Sequence, residues 1–362
     1  MAVPATFAHL PRAFAVLLPE MAELSWPGEV RSDCTGCVMT PAVSGESPSG
    51  PWSFHPDGRC CTYHPGLPNF LAGQALAGGG RGAELLRARI ARGPGVTAWG
   101  VRPSAVWRER YTEIADDRFG RDLSLRCPYW VGGDLACGIW GARPSTCRTW
   151  HCKHDHGLRS AVVWSQLQHV LTHIESLLAG FCIERGQPPT PGSADATAEA
   201  WSAWYGQCAT IVDRIDRADL AALADPLLIQ ARADLATLVA RRRTQLPEIV
   251  VPAIEGTWPE PHGIRVSGYS RYDTVIAPRS LFAFLSRLDG TTSWRAAQAA
   301  VLDDGGEAIS DELVAELFRI GAVEAPGSPS PTVIDRQRWP LPVLDAAEHD
   351  RTPEGLAMDP VD

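Results

Sequence analysis

Eight of the ten cysteines in this 362-residue chain fall into two groups: Cys34, Cys37, Cys60 and Cys61, then Cys127, Cys137, Cys147 and Cys152. Their spacing is C-x2-C-x22-C-C-x65-C-x9-C-x9-C-x4-C. Three chemistries compete for such a pattern: a metal or metal-cluster site, a disulfide framework, or ordinary buried thiols. A C-x2-C turn lets two sulfurs converge on one metal, and the spacing recurs in zinc and iron–sulfur sites. The adjacent Cys60 and Cys61 bridge each other poorly, because neighbouring side chains diverge. The opening stretch, MAVPATFAHLPRAFAVLLPEMAELSW, is broken by Pro4, Pro11 and Pro19 and lacks a basic segment before a continuous apolar run. It does not read as a secretory signal. The expected compartment is the cytoplasm, where disulfides rarely persist, and metal ligation is the expected role of the eight thiols.

An all-thiolate set suits Zn²⁺ or an iron–sulfur cluster and disfavours Mg²⁺ and Ca²⁺. Eight sulfurs could serve two zinc ions, one cluster with spare thiols, or a cluster plus a zinc. Arg143 and Arg148 stand where they could offset thiolate charge, and Trp130, Trp140 and Trp150 where they could exclude water. Low solvent access is what an iron–sulfur centre uses to set its potential. Iron–sulfur is the expected centre, with zinc left open. Cys182 and Cys208 fall on apolar faces of helical segments, where a free cysteine acts as a small hydrophobe; both are excluded from the site. WHCKHDHG, with His151, His154, Asp155 and His156, offers further N or O donors, but the expected reading is a solvated polar turn ahead of the helix. His169 and His173 have the i, i+4 spacing of a helical metal pair but no accompanying HExxH glutamate. His64 lies close to the Cys60–Cys61 pair.

Taken together, CTGC…CC followed by CPYW…CGIW…RPSTCRTWHC resembles the YkgJ family of eight-cysteine zinc- or iron-chelating domains. The residues that carry the resemblance are Cys34, Cys37, Cys60, Cys61, Cys127-Pro128, Cys137-Gly138-Ile139, Arg143-Pro144, Cys147-Arg148 and Cys152. It covers roughly residues 30–155, and the segment between C-x2-C and CC is longer than in the compact version. The resemblance implies chelation by the eight cysteines and leaves metal and chemistry open.

The elements that must position these residues read as mainly α, with a loop-rich cysteine domain and a small α+β C-terminal unit. Short helices are expected over residues 5–25, 68–77, 83–92 and from about 106 to 120. From 160, Val163, Leu167, Val170, Leu171, Ile174, Leu177, Leu178 and Phe181 recur at helical spacing. The Pro-rich segment 187–197 is a linker, followed by a helix marked by Trp201, Trp204, Cys208, Ile211, Val212 and Ile215 and by another over about 217–245. Short strands within EIVVPAIEG (248–256) and GIRVSGYSRYDTVIAP (263–278) and three helical pieces, with Ser310 a candidate N-cap, suggest a winged-helix-like unit weakly resembling the PqqD type. The expected division is a cysteine-rich domain 1–158, a helical region 159–247, the winged-helix-like unit 248–326 and a disordered tail 327–362.

Composition limits the function. The formal net charge is −9 and Lys153 is the only lysine, so no basic stripe exists for nucleic acid. No apolar run reaches the roughly 18 residues of a membrane span. AGGGRG (77–82) matches neither a dinucleotide nor a P-loop pattern, and no G-x-S-x-G or kinase set is present. Residues 278–326 hold four arginines against eight acids, favouring a protein or peptide partner over DNA. The expected function is a metal-binding protein coupled to such a partner. The alternatives are a redox or methyl-transfer enzyme acting on a peptide or protein, similar in style to FliB-type lysine N-methylases, and a purely structural zinc protein; the sequence does not decide whether the chain is an enzyme.

Overall fold

A computed structural model describes residues 5–29, 34, 36–48, 50–132, 137–241 and 245–328. The tail beyond 328, expected to be disordered, and the 242–244 end of the RRRTQLP segment lie outside the described residues. About half of the described residues are helical, and the sheets are small and antiparallel. The chain is mainly α.

The axis of the molecule is the helix Leu158–Arg185, of 28 residues, about 42 Å long at 1.5 Å per residue. The apolar spacing read from sequence is the face it buries: Val163, Leu167, Val170, Leu171, Ile174 and Leu178 are inaccessible to solvent. Around it lie α1 (Asn69–Ala77), α2 (Gly80–Arg92), α3 (Ala105–Arg118), the axis helix α4, α5 (Ala198–Arg214), α6 (Arg217–Leu223) and α7 (Pro226–Arg241). Helix α5 crosses α1 closely because Gly73 lacks a side chain; a Cβ there would meet the Tyr205 carbonyl of α5 at 2.0 Å. The single helix expected over 217–245 is two. Asp225 accepts from Leu228 N at 2.8 Å, and Pro226, which has no N–H to continue α6, starts α7.

One apolar core runs from Phe7 to Val239 and includes residues on both sides of position 158; Cys127 and Cys137 pack on its edge. The cysteine-bearing loops and the helical region therefore share a core, and the expected boundary at 158/159 is not a break in packing. A second core is built from 250–323. There, β1 (Gly256–Glu260), β2 (Gly263–Ser267) and β3 (Thr274–Ala277) form an antiparallel meander. Packed with it are α8 (Leu281–Leu285), α9 (Trp294–Asp303) and α10 (Asp311–Arg319). Ser310 does cap α10, accepting from Leu313 N at 3.2 Å. The strand at 256–260 was not anticipated, since GTWPE is short and carries a proline; it is an edge strand, where a missing N–H is tolerated.

The second core is docked onto the first. Arg159, in the first turn of α4, donates to Phe318 O at 2.7 Å and pairs with Glu324 at 3.1 Å. Arg319 pairs with Asp273 and also donates to His154 O at 3.1 Å. No helix among the described residues is long and apolar enough to cross a membrane.

Candidate metal centre

The two cysteine groups meet. Cys61 ends a turn in which its N–H donates to Gly58 O at 2.9 Å, and Cys127 N donates to Cys61 O at 2.7 Å. That single backbone bond joins segments 66 positions apart in the chain. Beyond it, Trp130 pairs with Cys137 as an isolated antiparallel bridge and Gly138 N donates to Tyr129 O at 2.8 Å. The resulting hairpin returns Cys137 towards Cys127. Cys147 follows the Arg143-Pro144 turn on the short helix Ser145–Thr149. Glu175 of α4 holds that helix: it accepts from Ser145 N at 2.6 Å and from Ser145 Oγ at 2.8 Å.

All ten cysteines are free thiols. Cys60 and Cys61 are hydrogen-bonded to each other, and Cys61 feels Cys127, Cys147 and Cys137 electrostatically. Cys137 feels Cys34 and Cys60, and Cys37 feels Cys60. Cys37, Cys60 and Cys152 also border one small apolar cluster with Met39, Phe54 and Phe119. Seven of the eight sulfurs are linked in this way, and Cys152 borders the same apolar cluster as Cys37 and Cys60. Cys182 and Cys208 stay apart, inaccessible to solvent in the main core, with Cys182 Sγ 3.6 Å from Cys208 O.

The thiols sit in a proton-loaded state. Burial pushes Cys37, Cys127, Cys137 and Cys147 upward, as do neighbouring sulfurs; Cys60 rises chiefly because its thiol donates to Cys61. Among the described residues no group of three or more Cys, His, Asp or Glu side chains is arranged so that it could hold a metal ion. Metal binding displaces thiol protons and reverses the local pKa order. The donor set suits a soft metal or cluster in its chemistry: only sulfur, with Cys37 buried, six thiols half-buried and Cys34 exposed, and close to a cation. Arg143 is that cation. Its charge lowers Cys60, Cys137 and Cys147, while its guanidinium lies 3.4 Å over the Trp140 ring.

Arg148 feels Cys147 and Cys137 electrostatically and is also a structural tie. Its buried guanidinium donates to the carbonyls of Arg143 at 2.5 Å, Gly141 at 2.7 Å, Ala8 at 2.7 Å and Thr6 at 3.2 Å. It ties the cysteine loop to the N-terminal segment, and burial pulls it down to about 10. The tryptophans also divide. Trp150 packs edge-on against Phe119 at 5.3 Å, whereas Trp140 is 41% exposed and shields nothing on its outer side.

The buried polar atoms near the thiols without a hydrogen-bond partner include Tyr129 OH and His64 Nε2. Tyr129 is fully buried, its OH unpaired, with Cys127 and Cys147 acting on it. His64 is buried with Nε2 unpaired, and desolvation, aided by Arg89, holds it down to about 3. An unpaired donor buried beside sulfurs is costly unless something accepts from it, and a sulfur-held anionic centre would do so. His151 Nε2 is likewise buried without a hydrogen-bond partner, whereas other histidines have protein partners or are exposed. His154 Nδ1 meets Tyr269 OH at 3.0 Å, His173 Nε2 meets the Asp225 carboxylate at 2.9 Å, and His169 and His156 are exposed. His151 stacks on Trp164 at 4.7 Å and is pushed down to about 4 by burial.

The long 38–59 loop closes on itself. Phe54 N donates to Met39 O at 2.6 Å, and Phe54 lies under Gly120, where a Cβ would meet its ring at 2.1 Å. Arg59 donates to Cys34 O.

Glu175 and Gly82 were not singled out from sequence. Glu175 shares the apolar face of α4 with Leu171 and Leu178, and a lone acid on such a stripe was the available signal. Burial pushes its carboxyl up to about 7, opposed by the Ser145 hydrogen bonds, against an ordinary value of 4.5. Between those pH values the folded chain keeps a proton that the unfolded chain has lost, so stability falls as pH rises. The span corresponds to on the order of 3 kcal/mol. Glu175→Gln should flatten the stability profile over this range in urea titrations; an unchanged slope would place the retained proton on another group.

Gly82 explains the glycine run before α2. A Cβ there would meet Gly138 O at 1.8 Å, so α2 presses directly on the turn that carries Cys137. Gly82→Ala should cost about 1–3 kcal/mol by forcing that turn outward. Gly78→Ala, which meets only ordinary contacts at 3.5 Å, should be near neutral in the same denaturation series.

No family model, curated protein or solved structure matches this chain.

Proposed function

We propose that the chain is a metal-binding protein that holds an iron–sulfur cluster or zinc through Cys34, Cys37, Cys60, Cys61, Cys127, Cys137, Cys147 and Cys152. The observation that supports this is the backbone bond from Cys127 to Cys61, which joins two cysteine-bearing segments far apart in sequence. Ordinary buried cysteines would have no need to converge. The thiols would supply the ligands, Arg143 the countercharge, and Tyr129 a hydrogen bond to bound sulfur. The donor set favours soft-metal chemistry, and burial favours iron–sulfur among the choices.

The C-terminal unit, a three-stranded meander with three helices, is in this reading a winged-helix-like module for a protein or peptide partner. Its exposed Ile276, Phe282 and Leu302, each more than half accessible, and its excess of acids suit an apolar, basic segment. Redox or methyl transfer onto a peptide remains the enzymatic alternative.

The test is elemental analysis with a visible spectrum on anaerobically purified protein. Iron with acid-labile sulfide and a brown colour that bleaches in air supports the cluster. Stoichiometric zinc in a colourless protein supports chelation without a cluster and favours the structural role. A folded protein that takes up neither metal on reconstitution overturns the proposal.

A further inference from the structure

None of the 14 residues of α3 is buried, whereas fifteen of the 28 in α4 are. A helix of that length is marginal by itself in water and depends on the face it packs. In α3 that face is Trp107, Tyr111 and Ile114, half-buried at i, i+4 and i+7. Trp107 and Tyr111 meet the Tyr63 ring edge-on, with centroids 6.0 and 5.4 Å apart, and Trp107 meets His64 at 5.6 Å. The polar ties of the helix include exposed ones, Arg110 Nη2 to Ser124 Oγ at 2.7 Å and Arg271 to Asp116 O. Exposed bonds of this kind compete with water and add little.

The thiol region lies under this helix. Tyr63 follows Cys61 by two residues, and Cys147 acts on it electrostatically. Tyr63 and Tyr111 both pack on the apolar cluster of Cys37, Met39, Phe54 and Phe119, which Cys60 and Cys152 also border. Lifting α3 therefore uncovers the side of the cluster on which Tyr63 stands, with Cys37, Cys60 and Cys152 around it.

The chain is pinned just outside both ends of the helix. Before it, Arg102 N donates to Gly95 O at 2.8 Å and Arg102 O accepts from Arg89 Nη2 at 2.8 Å. After it, Gly120 N donates to Thr62 Oγ1 at 2.6 Å and Gly120 O accepts from His55 N at 2.7 Å. Gly120 turns the chain there with φ +77°, a conformation glycine takes without strain. A segment fixed at both ends and shallowly packed between them belongs to the low-stability parts of a fold, which open while the rest stays closed.

We propose that α3 is a strap over the thiol region that opens as a unit in the folded chain, and that this opening is the path by which a metal ion reaches the sulfurs. The opening stands without a metal; its part in loading rests on the function proposed above.

The experiment is hydrogen–deuterium exchange of the full metal-free chain in a series of low urea concentrations, with the rate of Cd²⁺ uptake followed by thiolate charge-transfer absorbance. Cadmium is the probe because it is a soft divalent ion. The expected result is exchange over residues 110–118 at least about 100-fold faster than at the centre of α4, with a weaker dependence on urea. Trp107→Ala, which removes the ring contacts with Tyr63 and His64, should quicken exchange in α3 about tenfold and leave α4 unchanged. It should quicken cadmium uptake by a similar factor without changing the final stoichiometry. Val106→Ala, on the outer face and 52% exposed, should quicken neither. Protection of α3 equal to that of α4, with the same urea dependence, overturns the proposal, as does exchange in α3 that Trp107→Ala leaves unchanged. Cadmium uptake at an unaltered rate in a variant whose α3 opens faster overturns the entry path while leaving the function reading intact. An α3 that opens as expected in a chain that takes up no cadmium, zinc or iron overturns the function reading and the loading role, and leaves the strap itself established.

Discussion

Serine at both Cys61 and Cys127 is expected to reduce bound metal to background and to unfold the cysteine region. These two residues are the seam between the groups, joined through Cys127 N and Cys61 O, so losing their sulfurs removes ligands from both sides. A structural zinc contributes roughly 10–16 kcal/mol of apparent binding free energy in small peptides, comparable to the entire stability of a domain, about 5–15 kcal/mol. Each single serine variant should bind metal weakly and in a strongly pH-dependent way, because the remaining buried thiols must still give up protons that desolvation holds on them. Cys182→Ala and Cys208→Ala serve as the controls. They remove core sulfurs at 0% exposure and should cost stability with metal stoichiometry unchanged. Metal content that survives in the double serine variant, or falls equally in the core variants, would separate the metal from this cluster.

The parts of the site legible in the sequence are those where residue type is itself the chemistry. Eight thiols in a C-x2-C, CC and C-x9-C-x9-C-x4-C pattern announce possible ligands whatever the backbone does. The axis helix was equally legible, because its apolar residues repeat at 3.6 and a long amphipathic period has few alternative explanations. What stayed hidden depends on pairings across the chain. Ser145 and Glu175 are 30 positions apart, and nothing in RPSTC says that its serine will grip an acid on a distant helix. Arg148 illustrates the same limit. Its place beside Cys147 suggested charge compensation, and Cys147 and Cys137 do act on it, but nothing local said that its planar fork would also take the carbonyls of the N-terminal segment. The break at Asp225-Pro226 was a local signal outweighed by helical periodicity on either side of it.

The docking of the C-terminal unit gives the other large expected effect. Asp273→Ala should destabilise the protein by about 3–5 kcal/mol, the usual cost of stranding one partner of a buried ion pair. Asp273 is 1% exposed. It accepts from Arg319 Nη1 at 2.6 Å, from Arg319 Nη2 at 3.0 Å and from Tyr269 OH at 2.8 Å. Burial alone would lower the Arg319 pKa, but the hydrogen bonds and charge of Asp273, helped by Glu316, keep it above its ordinary value. Removing the carboxylate therefore leaves a partly buried guanidinium and a buried phenol with one acceptor fewer. The same Tyr269 OH reaches His154, two residues beyond Cys152, so the loss is transmitted to the end of the cysteine loop. Asp273→Asn keeps an acceptor for Tyr269 and should cost clearly less. In urea titrations followed by circular dichroism and by near-ultraviolet absorbance, the alanine variant should show two transitions, the first being release of the C-terminal core. A cost below about 1 kcal/mol would mean that the unit is held instead by its ring contacts, Tyr272 on Phe54 at 5.2 Å and Trp258 on Trp52 at 4.8 Å. Tyr272→Ala and Trp258→Ala would then be the damaging changes, and the polar network would serve orientation rather than adhesion.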